Sequence, residues 1–493
     1  MLLKERLEAF LHLHDDASWH PYLALQLHSF ATISFFVFIS ATQAFLITSQ
    51  YNVPLNRIGF VSGQLSLADE ITSIFALAFW GIISDRIGRR TVLALGYAIS
   101  ALGLFTIPVG TNWDPDLVLT RIVFAIGTSA LASILTAMLG DVVAPKGLPR
   151  ASSMMGIMSG LGALCAAYGY LRLGSVTCLR TTYFIVAGIC VLFGVVVTHL
   201  YKNFSTDHHS PSVREALRGV AEIPVLVRKD PNLGLALISS FAARAGSIVT
   251  SLYLSSWFAQ YMVLSGECPV TVPAGNATQS FCGLSDRRCA AAVAASSSAN
   301  GIVQVVALIS APFVGLALER LLPHPRWGVL CSGFIGVISY CSVAAVKNPR
   351  SSSIYGVAVA MGLSQISMVI SAQVFLVRQT PKTRLGAFSG VFSLIGALGV
   401  IMIGVWGGDL FDSGFFQGPF VLTGAVYGIL FVIAVLVIAL FPVRNNNNGP
   451  ERTSDSITSP LASGIPKQFS NDDDQESKKV VDPEAGSAKV SSA

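Results

Sequence analysis

Residues 81 to 90 read GIISDRIGRR, and they decide how the rest of the chain is understood. Asp85, Arg86, Arg89 and Arg90 put four charges into six positions. They follow directly on an apolar run, Gly59 to Ser84, broken only by Asp69 and Glu70. A basic cluster behind an apolar run of this length is how a membrane-spanning helix is stopped and oriented. Gly81, Asp85 and Gly88 are not needed for that purpose, so the stretch asks for a second explanation.

Working outward, the same pattern recurs along the chain. Of the 493 residues, 52% are hydrophobic and 12% charged, against about 25% charged in ordinary soluble domains. A helix crosses the hydrocarbon core with about 20 mostly apolar residues. Twelve such spans are predicted, at 28–50, 58–84, 91–111, 116–142, 151–172, 180–201, 233–262, 290–318, 327–346, 353–377, 384–410 and 418–442. With the N-terminus in the cytosol, 23 Lys and Arg fall on the cytosolic side and seven on the other. The positive-inside bias therefore places both termini in the cytosol. No cleavable signal peptide is expected, because the first twenty residues mix acids and histidines and lack a cationic start before a short apolar core.

The expected organisation is a cytosolic segment (1–27), a six-helix bundle (28–201), a cytosolic connector (202–232), a second six-helix bundle (233–442) and a disordered cytosolic tail (443–493). The two halves echo one another. Gly81, Asp85 and Arg86 match Gly315, Glu319 and Arg320; Pro145 and Lys146 match Pro381 and Lys382; Gly162, Ala163 and Leu164 match Gly396, Ala397 and Leu398, all at offsets of 234 to 236 residues. Such internal symmetry is a mark of transporter folds.

GIISDRIGRR resembles the signature of the major facilitator superfamily: a Gly, three residues, Asp, Arg, one residue, Gly and two basic residues after helix 2. Gly81, Asp85, Arg86, Gly88, Arg89 and Arg90 all fit it. The resemblance covers roughly residues 28 to 442 and implies an all-α polytopic membrane protein of two pseudo-symmetric six-helix bundles around a substrate cavity. It implies that the loop Asp sits against the start of helix 11, where the positive dipole end favours an anion. It also implies that the basic residues pair with an acid at the end of helix 4, a place held by Asp141. Glu319 and Arg320 would form the echo of this gate. Arg121 and Gly127 in LTRIVFAIG fit a looser helix-4 pattern linked to proton transfer in proton-coupled members. The Gly-Pro pair of drug antiporters is missing from span 5, and the acidic Pro-Glu-Ser-type sequence of sugar transporters is missing after span 6.

An ionisable group near the bilayer centre costs about 2.5–3.5 kcal/mol on insertion scales, so it persists where it faces a cavity or a partner. Asp69 and Glu70 in span 2 and Arg244 in span 7 stand near mid-depth. Asp69, Glu70 and Arg121 are candidates for proton coupling, with Glu70 the favoured carrier; a structural ion pair is the alternative. Arg121 is near the start of its span and is alternatively placed to reach the outer water. Arg244 is also a candidate for binding an anion through its planar fork. Gln43, Asn300, Gln304, Gln365 and Gln373 are neutral candidates for substrate contact, although such residues more often join helices. Trp257 and Trp406 read as lipid-facing or interfacial aromatics.

The long outer connection between spans 7 and 8 carries Cys268, Cys282 and Cys289, and Cys178 lies in another outer connection. A disulfide such as Cys268 to Cys282 would form in an oxidising compartment, with free thiols as the alternative. Asn276-Ala-Thr is a glycosylation sequon on that face. These features point to a eukaryotic plasma membrane or vacuolar-type membrane. No metal-ligand spacing, Walker-type phosphate loop or nucleophile-base set is present, so no metal, cofactor or enzymatic activity is expected. The basic residues build no continuous face for nucleic acid. The expected function is secondary transport of a small organic solute by alternating access in a monomer, coupled to protons. Passive uniport, organic-anion transport through Arg244 and a non-transporting sensor are the alternatives.

Overall fold

The computed structural model describes residues 19–51, 53–143, 148–201, 222–266, 287–320, 322, 324–380 and 385–441. The tail and most of the connector lie outside them. Twelve helices are long and apolar enough to cross a membrane, and the described residues contain no strand. In lipid every backbone N–H and C=O must be satisfied within its own segment, and a helix does this for each apolar run.

The first bundle comprises α1 (Trp19–Ser49), α2 (Ile58–Ile87), α3 (Arg89–Thr106), α4 (Val118–Val142), α5 (Leu148–Leu164) and α6 (Leu179–Leu200). The second comprises α7 (Pro231–Ile248), α8 (Arg287–Arg320), α9 (Pro325–Ser342), α10 (Ser353–Gln379), α11 (Leu385–Asp412) and α12 (Gly418–Leu440). Two of these helices continue through a π turn. α5 runs on through Cys165–Tyr170 into Leu171–Val176, and α7 through Val249–Tyr253 into Leu254–Leu264. The starts of α7 and α9 are capped: Asp230 accepts from the Asn232 N–H at 3.0 Å, and the His324 ring accepts from the Arg326 N–H. A Pro follows each cap, where its missing N–H costs nothing.

The first helix starts at Trp19, nine residues before the predicted span. Gln26 and His28 depress the hydropathy of that turn, yet both are buried against the bundle. His28 ties three helices together: its ring nitrogens lie 2.9 Å from the Tyr97 hydroxyl on α3 and 2.9 Å from the Leu131 carbonyl on α4. Trp257 corrects a second expectation. It is not lipid-facing but 1% exposed, tilted against Phe420 of α12; Trp406 does lie on the outside, at 60% exposure.

Each bundle is packed internally, and the two meet along α2–α11, α5–α8 and α1–α7. A short helical stretch at residues 222–229 of the connector lays Ile223, Leu226 and Val227 on the ends of α7, α10 and α11, beside Leu233, Leu376 and Phe388.

Candidate functional site

The seam between the bundles differs at its two ends, and that difference defines the site. At the start of α2, Gly59 and Gly63 face Gly408 and Gly404 of α11. A Cβ on Gly63 would stand 2.4 Å from the Gly404 carbonyl oxygen, so only glycine admits this approach. The last residue of α11 completes the closure. Asp412 accepts from the Gly59 and Phe60 N–H groups, one to each carboxylate oxygen, both at 2.7 Å. These are among the N–H groups that a helix leaves without partners at its start, and the carboxylate also meets the positive end of the dipole. From α7, the Tyr253 hydroxyl donates to the Gly404 carbonyl at 2.8 Å. The α5–α8 seam is closed at the same end, where the Ser297 hydroxyl donates to the Ala167 carbonyl at 2.5 Å.

Toward the other end, the face bearing Gly88, the seam opens. Gly160 of α5 meets Leu308 of α8, but Gly156 and Gly315, one and two turns further along those same faces, have no described atom within 4 Å of where a Cβ would be. Gly390, on the face of α11 that carries Gly404, is equally open. On α2 the change falls at Glu70. Ile58, Val61, Ser62, Leu65, Ser66 and Glu70 are buried, whereas Ile71, Phe75, Leu77, Ala78 and Phe79 beyond it are exposed.

The mid-depth charges stand at that transition. Asp69 and Arg121 form an ion pair between α2 and α4, and Arg121 is 6% exposed. Arg121 therefore does not reach out to water; it turns inward across the bundle. Glu70 is 8% exposed, and the charges whose fields reach it are Arg244 of α7 and Asp69. Arg244 is exposed, with its side chain lying over Gly396 of α11. No carboxylate among the described residues lies within ion-pair distance of it. One bundle thus offers a buried acid and the other an exposed guanidinium at one level.

The neutral candidates mostly join helices. Gln43 donates to the Ser62 carbonyl, Thr250 donates to Gln365, and the Asn300 amide donates to Ser255. Gln304 is buried and Gln373 exposed.

In the GIISDRIGRR loop, Gly88 has φ of +90°, a conformation that breaks the chain between α2 and α3 and favours glycine. Arg89 Nε lies 2.5 Å from Asp141, and the Tyr201 hydroxyl donates to the same carboxylate at 3.2 Å. Arg86 is exposed. The side chains of Asp85, Glu319 and Arg320, the segment 381–384 before α11, and Asn276, Cys268 and Cys282 lie outside the described residues, as does the side chain of Cys289. Among the described residues Cys165, Cys190, Cys331 and Cys341 are free, and Cys178 stands directly before α6. No metal-binding cluster occurs among the described residues.

Sequence reasoning missed Asp412 and the glycine seam. The signals were present as small residues four apart in span 2 (Gly59, Gly63) and span 11 (Gly404, Gly408), with an acid at the end of the latter.

A polytopic helical protein whose two halves enclose a passage closed at one end has the architecture of a solute carrier. The chain belongs to the Major Facilitator Superfamily, whose model matches residues 27–283 and 290–472. It is similar to the magnetosome protein MamZ of Paramagnetospirillum magneticum, 24% identical over 428 residues, which are 84% of this chain and 61% of the relative. Magnetosome protein MamH of the same organism is 23% identical over 85% of this chain and 91% of its own length. The chain thus spans about three fifths of the MamZ relatives it matches. Among solved structures, a point mutant of the nucleoside transporter NupG superposes with a TM-score of 0.64 at 15% identity, covering 85% of this chain and all of that one. A D-xylose-proton symporter does so with a TM-score of 0.59 at 14% identity, over 85% and 97%. These likenesses establish the fold.

Proposed function

We propose that the protein is a secondary transporter of a small organic solute, working by alternating access and coupled to protons. One observation carries this reading: the bundle interface is closed at the Gly59–Asp412 end and open at the Gly88 end, with Glu70 and Arg244 at the transition. With the Gly88 face in the cytosol, this is an inward-open state. A solute entering from that side meets the two charges near the middle of the fold, where transporters of this architecture hold their cargo. Glu70, buried beside an exposed vestibule, is the proton carrier of this reading, and the Asp69–Arg121 pair holds α2 and α4 together behind it. Asp85, Arg86, Gly88, Arg89, Arg90 and Asp141 act in gating, with Glu319 and Arg320 as their counterparts.

The relatives are bacterial magnetosome proteins and lend no support to a eukaryotic plasma or vacuolar membrane. That assignment rests on Asn276 and the outer cysteines alone. Peptide mapping without reductant, looking for a bridge among Cys178, Cys268, Cys282 and Cys289 and for a sugar on Asn276, tests it.

The test of transport is uptake into proteoliposomes with and without an imposed pH gradient. Gradient-driven accumulation is expected, and Glu70→Gln should abolish it while leaving exchange intact. Accumulation at the wild-type level in Glu70→Gln would remove Glu70 from the role; flux indifferent to the gradient would remove proton coupling.

A further inference from the structure

The charges at mid-depth balance in a way that constrains the cargo. Asp69 and Arg121 neutralise each other within the first bundle. What remains is one acid, Glu70, and one base, Arg244, from opposite bundles, within each other's field but not in contact. They differ in access: Glu70 is buried, whereas Arg244 is exposed. A solute entering the vestibule therefore reaches the guanidinium first. Gly396 beneath Arg244 leaves room for its stem, since a Cβ there would stand 2.7 Å from Arg244 Cγ. Among the described residues the other charges are remote from Glu70: α11, packed along α2, brings Asp409 and Asp412, but these belong to the closed end beside Gly59. α1 contributes the neutral amide of Gln43.

We infer that the cargo is a small monocarboxylate, bound by the Arg244 fork and carried with one proton on Glu70. The argument is one of charge. In the empty protein, ionised Glu70 offsets Arg244. A carboxylate seated on Arg244 takes over that offset, leaving Glu70 beside Asp69 with no free cation in reach. A second uncompensated negative charge at mid-depth is disfavoured in a medium of low dielectric, so Glu70 takes up a proton from the open side. Empty and loaded sites then carry the same net charge, and the bundles rock without moving charge across the membrane. A guanidinium matches a carboxylate through two parallel hydrogen bonds. A dianion would leave one charge unmatched, and a neutral solute would leave Arg244 and Glu70 as they are. This inference rests on the proton-coupled reading above.

The test uses the purified full-length protein and six probes: acetate, L-lactate and benzoate as monocarboxylates, succinate, D-xylose and choline. Thermal stabilisation should be produced by at least one monocarboxylate, with an apparent affinity that strengthens by up to about tenfold per pH unit on acidification, the limit for one coupled proton. Arg244→Gln should abolish it and Arg244→Lys weaken it; Glu70→Gln should keep binding and lose its pH dependence. In proteoliposomes, uptake of the stabilising anion should follow a pH gradient and ignore an imposed potassium diffusion potential. Stabilisation by xylose, choline or succinate but by no monocarboxylate overturns the inference, as does binding that survives Arg244→Gln in a folded variant. Voltage-dependent uptake overturns the charge balance. Proton-driven uptake of xylose would sink the inference and leave the transporter reading standing; absence of any binding and any flux sinks both.

Discussion

Replacing Asp412 by Ala removes both acceptors from the start of α2 while leaving the glycine seam untouched. Hydrogen bonds to a charged group contribute about 1.5–3 kcal/mol each. Asp412 is half-buried at the end of its helix, so water replaces part of that on opening, and the pair is worth about 2–3 kcal/mol to the closed end. Because the carboxylate joins the two bundles, the loss falls on the closed state and not on either bundle alone. The ratio of closed to open outer ends should fall by about 30- to 150-fold. Ser66 reports it, since its side chain lies against Gly404 within the seam. In a protein whose eight native cysteines are serine, Ser66→Cys should react slowly with a membrane-impermeant maleimide applied from the outer side of right-side-out vesicles. Adding Asp412→Ala should accelerate that reaction by at least an order of magnitude. An unchanged rate would mean that the glycine contacts hold the end shut without the carboxylate, and the reasoning would fail.

Three further outcomes follow from contacts elsewhere. Asp141→Asn weakens the largely buried carboxylate contact that Arg89 and Tyr201 share, and should cost about 1–3 kcal/mol, read as a lower thermal midpoint in detergent. His28→Phe removes two buried hydrogen bonds at once, to the Tyr97 hydroxyl and to the Leu131 carbonyl; about 1–3 kcal/mol is expected, and a midpoint within a degree of wild type would refute His28 as a tie. Burial, helped by Arg326, holds the His324 ring below the usual imidazole range. A lowered folded value means that the unfolded chain binds more protons in the window below about 6.5, so stability from this cap is present at neutral pH and lost on acidification. His324→Asn should keep the cap and flatten the pH dependence of the thermal midpoint in that window.

The membrane fold was legible because hydropathy is a local property. Span 2, at residues 58 to 84, is bounded by the same residues in both readings. It failed where polar residues serve the interior: Gln26 and His28 hid the first nine residues of α1, and Trp257 carries the composition of an interface but is walled in by Phe420. The mid-depth charges were legible for the same local reason, since any ionisable group in an apolar run stands out. Their partners were not. Whether Arg121 turns to water or to Asp69 depends on the rotation of α4 against α2. Asp412 finds its partners more than 350 residues away, across a bundle interface that no local pattern describes.

The sudden loss of cover on α2 beyond Glu70 has a meaning for substitution. Ile71, Phe75, Leu77, Ala78 and Phe79 are exposed, and under the proposed alternating access they belong to one of at least two states. Those that face the vestibule must be re-covered by the opposite bundle each time the outer end parts, so each has to suit two surroundings in turn. Their tolerance is set by the stricter of the two. A polar side chain introduced there is accommodated in the open vestibule and penalised on closure, so it would slow the cycle while leaving the folded protein as stable as before.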